Sequence, residues 1–143
     1  MSPEDVPDGP LLVDTDVASW IRTGSPKAGP FKPLLREHLL CLSFASVGEL
    51  WAGAEKAGWG SRRRDGLASF IRSHVTLPAD EEVTRHWGRI HALFRDQVDV
   101  NDEWIAACAL AQTPALPIVT GNRRHFSPVA LRFPELIVVH PDM

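Results

Sequence analysis

Five short apolar runs, each stopped by a turn or a polar residue, limit what this chain can fold into. They are Leu11–Val13, Leu40–Phe44, Val75–Leu77, Leu116–Val119 and Leu136–Val139. Short unalternated runs of this kind fit strands buried on both faces of a parallel sheet. The stretches between them carry apolar residues at helical spacing. Val17 to Ile21 predicts a short helix ending near Thr23-Gly24, and Phe31 to Leu39 another, with Pro33 tolerated in its first turn. Ser46, with Glu49 three residues on, matches a capping box at the head of a helix striped by Leu50, Ala54 and Ala57. Gly58-Trp59-Gly60 breaks that helix. Arg62 to His74 follows, with Leu67, Phe70 and Ile71 on its inner face. Glu81 to Phe94 repeats Val83, Trp87, Ile90 and Phe94 at helical spacing. Asn101-Asp102 opens an alanine-rich helix over Glu103 to Gln112. Strands alternating with helices make βαβ units, so the expectation is an α/β fold around a central, mostly parallel sheet of four to five strands. Residues 1–10, polar and proline-rich, read as a loose extension before a single domain over 11–143.

The chain's 143 residues suffice for one domain with one core. A net charge of −3 gives no bulk signal of a nucleic-acid binder, although a local patch outweighs the sum. Cys41 and Cys108 sit among apolar neighbours and read as buried thiols. No basic-then-apolar leader opens the sequence, and no apolar run approaches the roughly 20 residues of a membrane span. The expected setting is the cytoplasm.

Chemistry concentrates where apolar runs end in acids. Leu11-Leu12-Val13 runs straight into Asp14-Thr15-Asp16, and a carboxylate ending a central parallel strand faces the crevice where ligands of such sheets bind. Glu49 and Asp102 also lie at, or just past, strand-to-helix junctions. Each acid taken singly has a plain alternative as a helix cap. Taken together, converging carboxylates repel one another unless a cation sits among them, and their hard oxygens suit Mg²⁺ or Mn²⁺. Such a site can activate water and clamp a phosphate. The six histidines are scattered, with His86 and His91 five apart on one helix, which is not zinc-ligand spacing. Arg62, Arg63 and Arg64 can track phosphates or simply form a solvated helix face. Arg123 and Arg124 follow the fourth strand and should lie near the acidic rim. Trp104, just beyond Asp102, is core or site wall.

These pieces, in this order, resemble the PIN-domain ribonucleases, specifically the VapC-type toxins of bacterial toxin–antitoxin pairs. The resemblance rests on Leu12-Val-Asp14-Thr-Asp16, on Ser46-Val-Gly-Glu49-Leu with Gly53-Ala54, on Asn101-Asp102-Glu-Trp-Ile105-Ala-Ala, and on Ile118-Val-Thr120-Gly-Asn122-Arg-Arg-His125-Phe126. It implies a three-layer α/β/α sandwich and a Mg²⁺ or Mn²⁺ held by Asp14, Glu49 and Asp102. It also implies hydrolysis of RNA phosphodiesters, commonly in tRNA or ribosomal RNA, a small VapB-like antitoxin whose tail blocks the site, and a homodimer. Asp16 departs from the more usual Asn and adds a possible ligand. Asn122 and His125 stand in a turn where the family often carries a further Asp, so whether one metal binds or two stays open. Thr120 and Asn122 would help position metal, water or phosphate.

Two other readings compete. Asp14-Thr-Asp16-Val with Val119-Thr120-Gly-Asn122 also resembles haloacid-dehalogenase phosphatases, with Asp14 as nucleophile. That family needs a later lysine, and this chain has none beyond Lys56. The third reading is a PIN fold that only binds RNA or a partner.

Overall fold

The computed structural model describes residues 1–143. Its strands are β1 (Leu11–Val13), β2 (Leu40–Ser43), β3 (Val75–Leu77), β4 (Ile118–Val119) and β5 (Val138–Val139), and its helices α1 (Thr15–Thr23), α2 (Lys32–Leu35), α3 (Phe44–Lys56), α4 (Ser61–Arg72), α5 (Glu81–Phe94), α6 (Val100–Leu110) and α7 (Ser127–Arg132). One five-stranded sheet runs in the order β3-β2-β1-β4-β5, and every neighbouring pair is parallel.

Strand alternation builds the layers. Successive side chains leave opposite faces of a sheet, so Leu12, Cys41, Ile118 and Val138 join the core beneath α5, α6 and α7. Leu11, Val13, Leu42, Val119 and Val139 join the core beneath α1, α2, α3 and α4. The result is the expected three-layer α/β/α sandwich. Helix α6 buries residues on nearly every side, among them Ile105, Ala106, Ala107, Cys108 and Ala109. A helix apolar all round belongs inside, and its alanines allow close approach to the sheet. Both cysteines are buried free thiols.

The topology makes the crevice. From β1 the chain moves outward to β2 and β3, then returns to place β4 and β5 on the other side of β1. Strand order therefore reverses between β1 and β4, and ligands of open α/β sheets bind at the carboxyl ends beside such a switch. Asp14 and Thr120 are the residues that leave those two strand ends.

Several local expectations change. The helix expected over 31–39 shrinks to Lys32–Leu35, because Leu34 and Leu35 bury there and the chain then turns, with Glu37 at a φ of 69°, to enter β2. Ser46 is not a helix cap: Ser43 caps α3 by accepting from the Ala45 N–H at 3.1 Å, and Ser46 lies buried inside the helix. Asp99, not Asn101-Asp102, caps α6, accepting from the Asn101 N–H at 2.9 Å. Helix α7 was not anticipated; Pro128 opens it and Val129 buries it. Segment 1–10 is not loose throughout, since Val6 is buried against the sheet and the Met1 ammonium donates to Pro141 O at 3.0 Å. No helix is long and apolar enough to cross a membrane.

Candidate active site

Asp14 follows β1 without leaving the sheet's hydrogen bonding: its N–H donates to Val119 O of β4 at 2.8 Å. It also caps α1, Oδ1 accepting from the Thr15 N–H at 2.7 Å, while Oδ2 accepts from the buried Thr120 hydroxyl at 2.8 Å. Both readings of this acid thus hold at once, because a single carboxylate has enough lone pairs to cap a helix and still present oxygen to a cavity. Burial pushes the Asp14 carboxyl above its ordinary range, against the two hydrogen bonds.

Glu49, on the second turn of α3, reaches across to α1. The Thr15 hydroxyl donates to its Oε1 at 2.8 Å and also lies 2.8 Å from Ser46 Oγ, which can donate back to it. With α3 capped by Ser43, Glu49 has no capping partner, and its side chain serves the cavity. Asp102 sits in the first turn of α6 with its side chain 14% exposed. No protein group donates a hydrogen bond to it; the nearest basic nitrogen is His125 Nδ1, 3.7 Å from Oδ2. Burial pushes the Asp102 carboxyl up to about 7, and the charges of Asp14, Asp99 and Glu49 add to the rise while His125 opposes it.

These side chains line one cavity of about 240 Å³: Asp14, Thr15, Asp16, Glu49, Asp99, Asp102 and His125, with no hydrophobic residue among them. All four expected ligands, Asp14, Asp16, Glu49 and Asp102, are therefore brought together. Asp99 and Thr15 went unnoticed in the sequence. The available signal for Asp99 was its place three residues before Asp102, which puts both on one face as the helix begins. His125 was marked only as a departure, yet it faces Asp102, and its Nε2 meets the Asn122 amide at 3.1 Å.

Thr120 and Asn122 do not line the cavity but support it. The Thr120 hydroxyl fixes Asp14, and the Asn122 N–H donates to that hydroxyl oxygen at 3.1 Å. Arg123 and Arg124 project to solvent from the adjoining turn. Arg62 and Arg63 lie elsewhere, exposed on the first turn of α4 beside Trp59. Arg64 is committed to structure, donating to Trp59 O at 2.7 Å and pairing with Glu55 at 2.5 Å.

As oriented, no three of the acids form a ready cage. Mg²⁺, however, keeps several of its waters and needs only one or two direct carboxylates. An open, wholly polar cavity rimmed by five acids fits a hydrated hard cation, and such a cation would offset the burial and repulsion that raise the Asp102 carboxyl.

Comparison with known proteins agrees with this layout. The family model of the PIN domain matches residues 11–130. Among solved structures, the chain is similar to VapBC2 from Rickettsia felis, bound there to a DNA fragment from its promoter, at 18% identity and a TM-score of 0.71, covering 91% of this chain and 97% of that one. It is similar to VapBC-1 from nontypeable Haemophilus influenzae at 22% identity and a TM-score of 0.69, covering 94% and 99%. It is similar to DNA-bound VapBC from Salmonella typhimurium at 25% identity and a TM-score of 0.68, covering 92% and 98%. No curated protein matches the sequence.

Proposed function

Because this chain belongs to the PIN-domain family, we propose that it is a Mg²⁺- or Mn²⁺-dependent endoribonuclease acting as the toxin of a VapBC-type pair. The observation that carries the reading is the wholly polar cavity in which Asp14, Asp16, Glu49, Asp99 and Asp102 converge beside the strand-order switch. A bound divalent ion would supply Lewis acidity and a water of lowered pKa. Asp14 and Asp102 would hold it, the first fixed by Thr120 and Thr15, the second free of any protein donor. Glu49, oriented by Thr15, serves as a ligand or aligns the attacking water. Asp16 assists from the first turn of α1. Asn122 and His125 brace the rim, and Arg123 and Arg124 offer cations to the phosphate backbone of RNA.

The similar solved structures are VapBC complexes, which supports a small VapB-like antitoxin as partner; a homodimer and a cytoplasmic setting belong to the proposal. The rival reading, a PIN fold that binds RNA without cutting it, is favoured only by the missing acid at Asn122.

Cleavage of total cellular RNA by the purified chain tests the proposal, with Mn²⁺, Mg²⁺ or EDTA, beside Asp14→Asn and Asp102→Ala. The expected result is discrete fragments that need metal and vanish in both variants while the circular dichroism spectrum persists. A folded wild type that binds RNA yet never cuts it favours the binding module. Full activity in Asp14→Asn sinks the role given to that residue.

A further inference from the structure

A second cavity, also about 240 Å³, opens from the acidic one and shares Thr15, Asp16 and Glu49 with it. It runs between α1, α3 and Leu67 of α4, and Arg22 and Trp59 form its far wall. Arg22 closes the last turn of α1, and its guanidinium lies 4.5 Å above the centre of the Trp59 ring. That guanidinium makes no hydrogen bond and no ion pair within the protein, although Asp16 and Glu49 line the same groove. Trp59 then continues into a third cavity lined by Arg62 and Arg63.

We propose that this groove is the track for the single-stranded RNA segment flanking the scissile phosphate, with Arg22 clamping a backbone phosphate and Trp59 giving it a rigid aromatic backing. The inference rests on the ribonuclease reading of the acidic cavity. An arginine stacked on an indole keeps its planar fork of donors turned outward, preorganised for bidentate contact with a phosphate. Cationic grooves with aromatic platforms are how proteins hold single strands without reading their sequence. The charge order along the groove also suits RNA. Its polyanionic backbone is repelled by five carboxylates, and a cation on the approach offsets that repulsion where the metal's charge has faded.

The test uses the full-length chain, a short fluorescein-labelled single-stranded RNA, and Ca²⁺ in place of Mg²⁺, with the RNA checked to be intact after each titration. Anisotropy is recorded across a salt series for wild type, Arg22→Ala, Arg22→Lys and Arg89→Ala. Arg89 is exposed on α5, on the other face of the sheet, so its loss removes the same charge outside the groove. Arg22→Ala is expected to weaken binding about tenfold and lower the salt slope by about one. Arg22→Lys is expected to restore the slope but only part of the affinity, because it keeps the charge and loses the fork. Arg89→Ala is expected to match wild type. Ultraviolet cross-linking should place RNA on the peptide containing Trp59. Equal effects of Arg22→Ala and Arg89→Ala, or cross-links that avoid Trp59, overturn the proposal and leave the groove to a polypeptide partner. Metal-dependent cleavage by wild type, measured alongside, stands or falls separately and shows whether the track or the ribonuclease reading has failed.

Discussion

Asp102→Asn should make the metal-free protein more stable while removing a metal ligand. Burial of the Asp102 carboxyl without any protein hydrogen bond, with added repulsion from Asp14, Asp99 and Glu49 against the opposing His125, moves its ionisation from an ordinary 3.8 to about 7. Between those values the folded chain holds a proton that the unfolded chain has released. Folding stability therefore falls as pH rises through that window and stays low above it. Each pKa unit is worth about 1.4 kcal/mol, which puts the ceiling near ~4 kcal/mol. The cavity is open to water and its carboxylates share the repulsion, so about half of that, ~2 kcal/mol, is expected. An isosteric amide carries no charge to repel and abandons no hydrogen bond. Urea unfolding in EDTA should show the variant about 2 kcal/mol more stable than wild type at pH 8, with the gap shrinking to under half by pH 5. Saturating Mg²⁺ should reverse the ranking, because binding to the folded state stabilises only a chain that still holds the ion. A variant less stable than wild type at pH 8 in EDTA, or a gap that widens as pH falls, would refute the argument from carboxylate repulsion.

Three further outcomes follow from single contacts. Glu103 is fully buried, and its carboxyl is hydrogen-bonded by His91 Nδ1 at 2.9 Å, beside the stack of His91, Trp87 and Trp104; His91→Ala should cost about 1–3 kcal/mol by urea denaturation, since a buried polar group loses its hydrogen-bond partner. Glu103→Gln in the same assay should cost less, because the amide oxygen can still accept from His91. A Cβ at Gly121 would stand 2.5 Å from the ring of Trp20, so Gly121→Ala should lower stability by about 1–3 kcal/mol, and Trp20→Leu in the same chain should recover much of it. Thr15→Val removes the hydroxyl that orients Glu49, so it should weaken Mg²⁺ binding several-fold by calorimetry while shifting the urea midpoint little.

The ambiguity over the acids shows where sequence reading stops. A carboxylate near a helix start is wanted both for capping and for ligation, so composition and spacing cannot separate the two uses. Ser46 and Glu49 match a capping box by spacing alone, and the box dissolves because α3 is capped three residues earlier, by Ser43. Asp102 looked like a cap until Asp99 took that place. Asp14 turns out to do both. The run Arg62-Arg63-Arg64 divides in a similar way: Arg62 and Arg63 stay exposed, and only Arg64 finds Glu55 and the Trp59 carbonyl.

By itself the sequence determined the alternation of strands and helices, and with it a parallel sheet whose strand ends share one rim. It also placed Asp14 on that rim. These are consequences of local hydrophobic period and of where apolar runs stop, which short segments carry within themselves. Tertiary structure alone decided which side of β1 each later strand joined. That choice set Thr120 against Asp14, Thr15 against Glu49, and Asp99 and His125 into one cavity with the expected acids. It also laid Arg22 on Trp59, residues far apart in the chain. Such pairings depend on burial and on the sheet's order, so no window of sequence contains them.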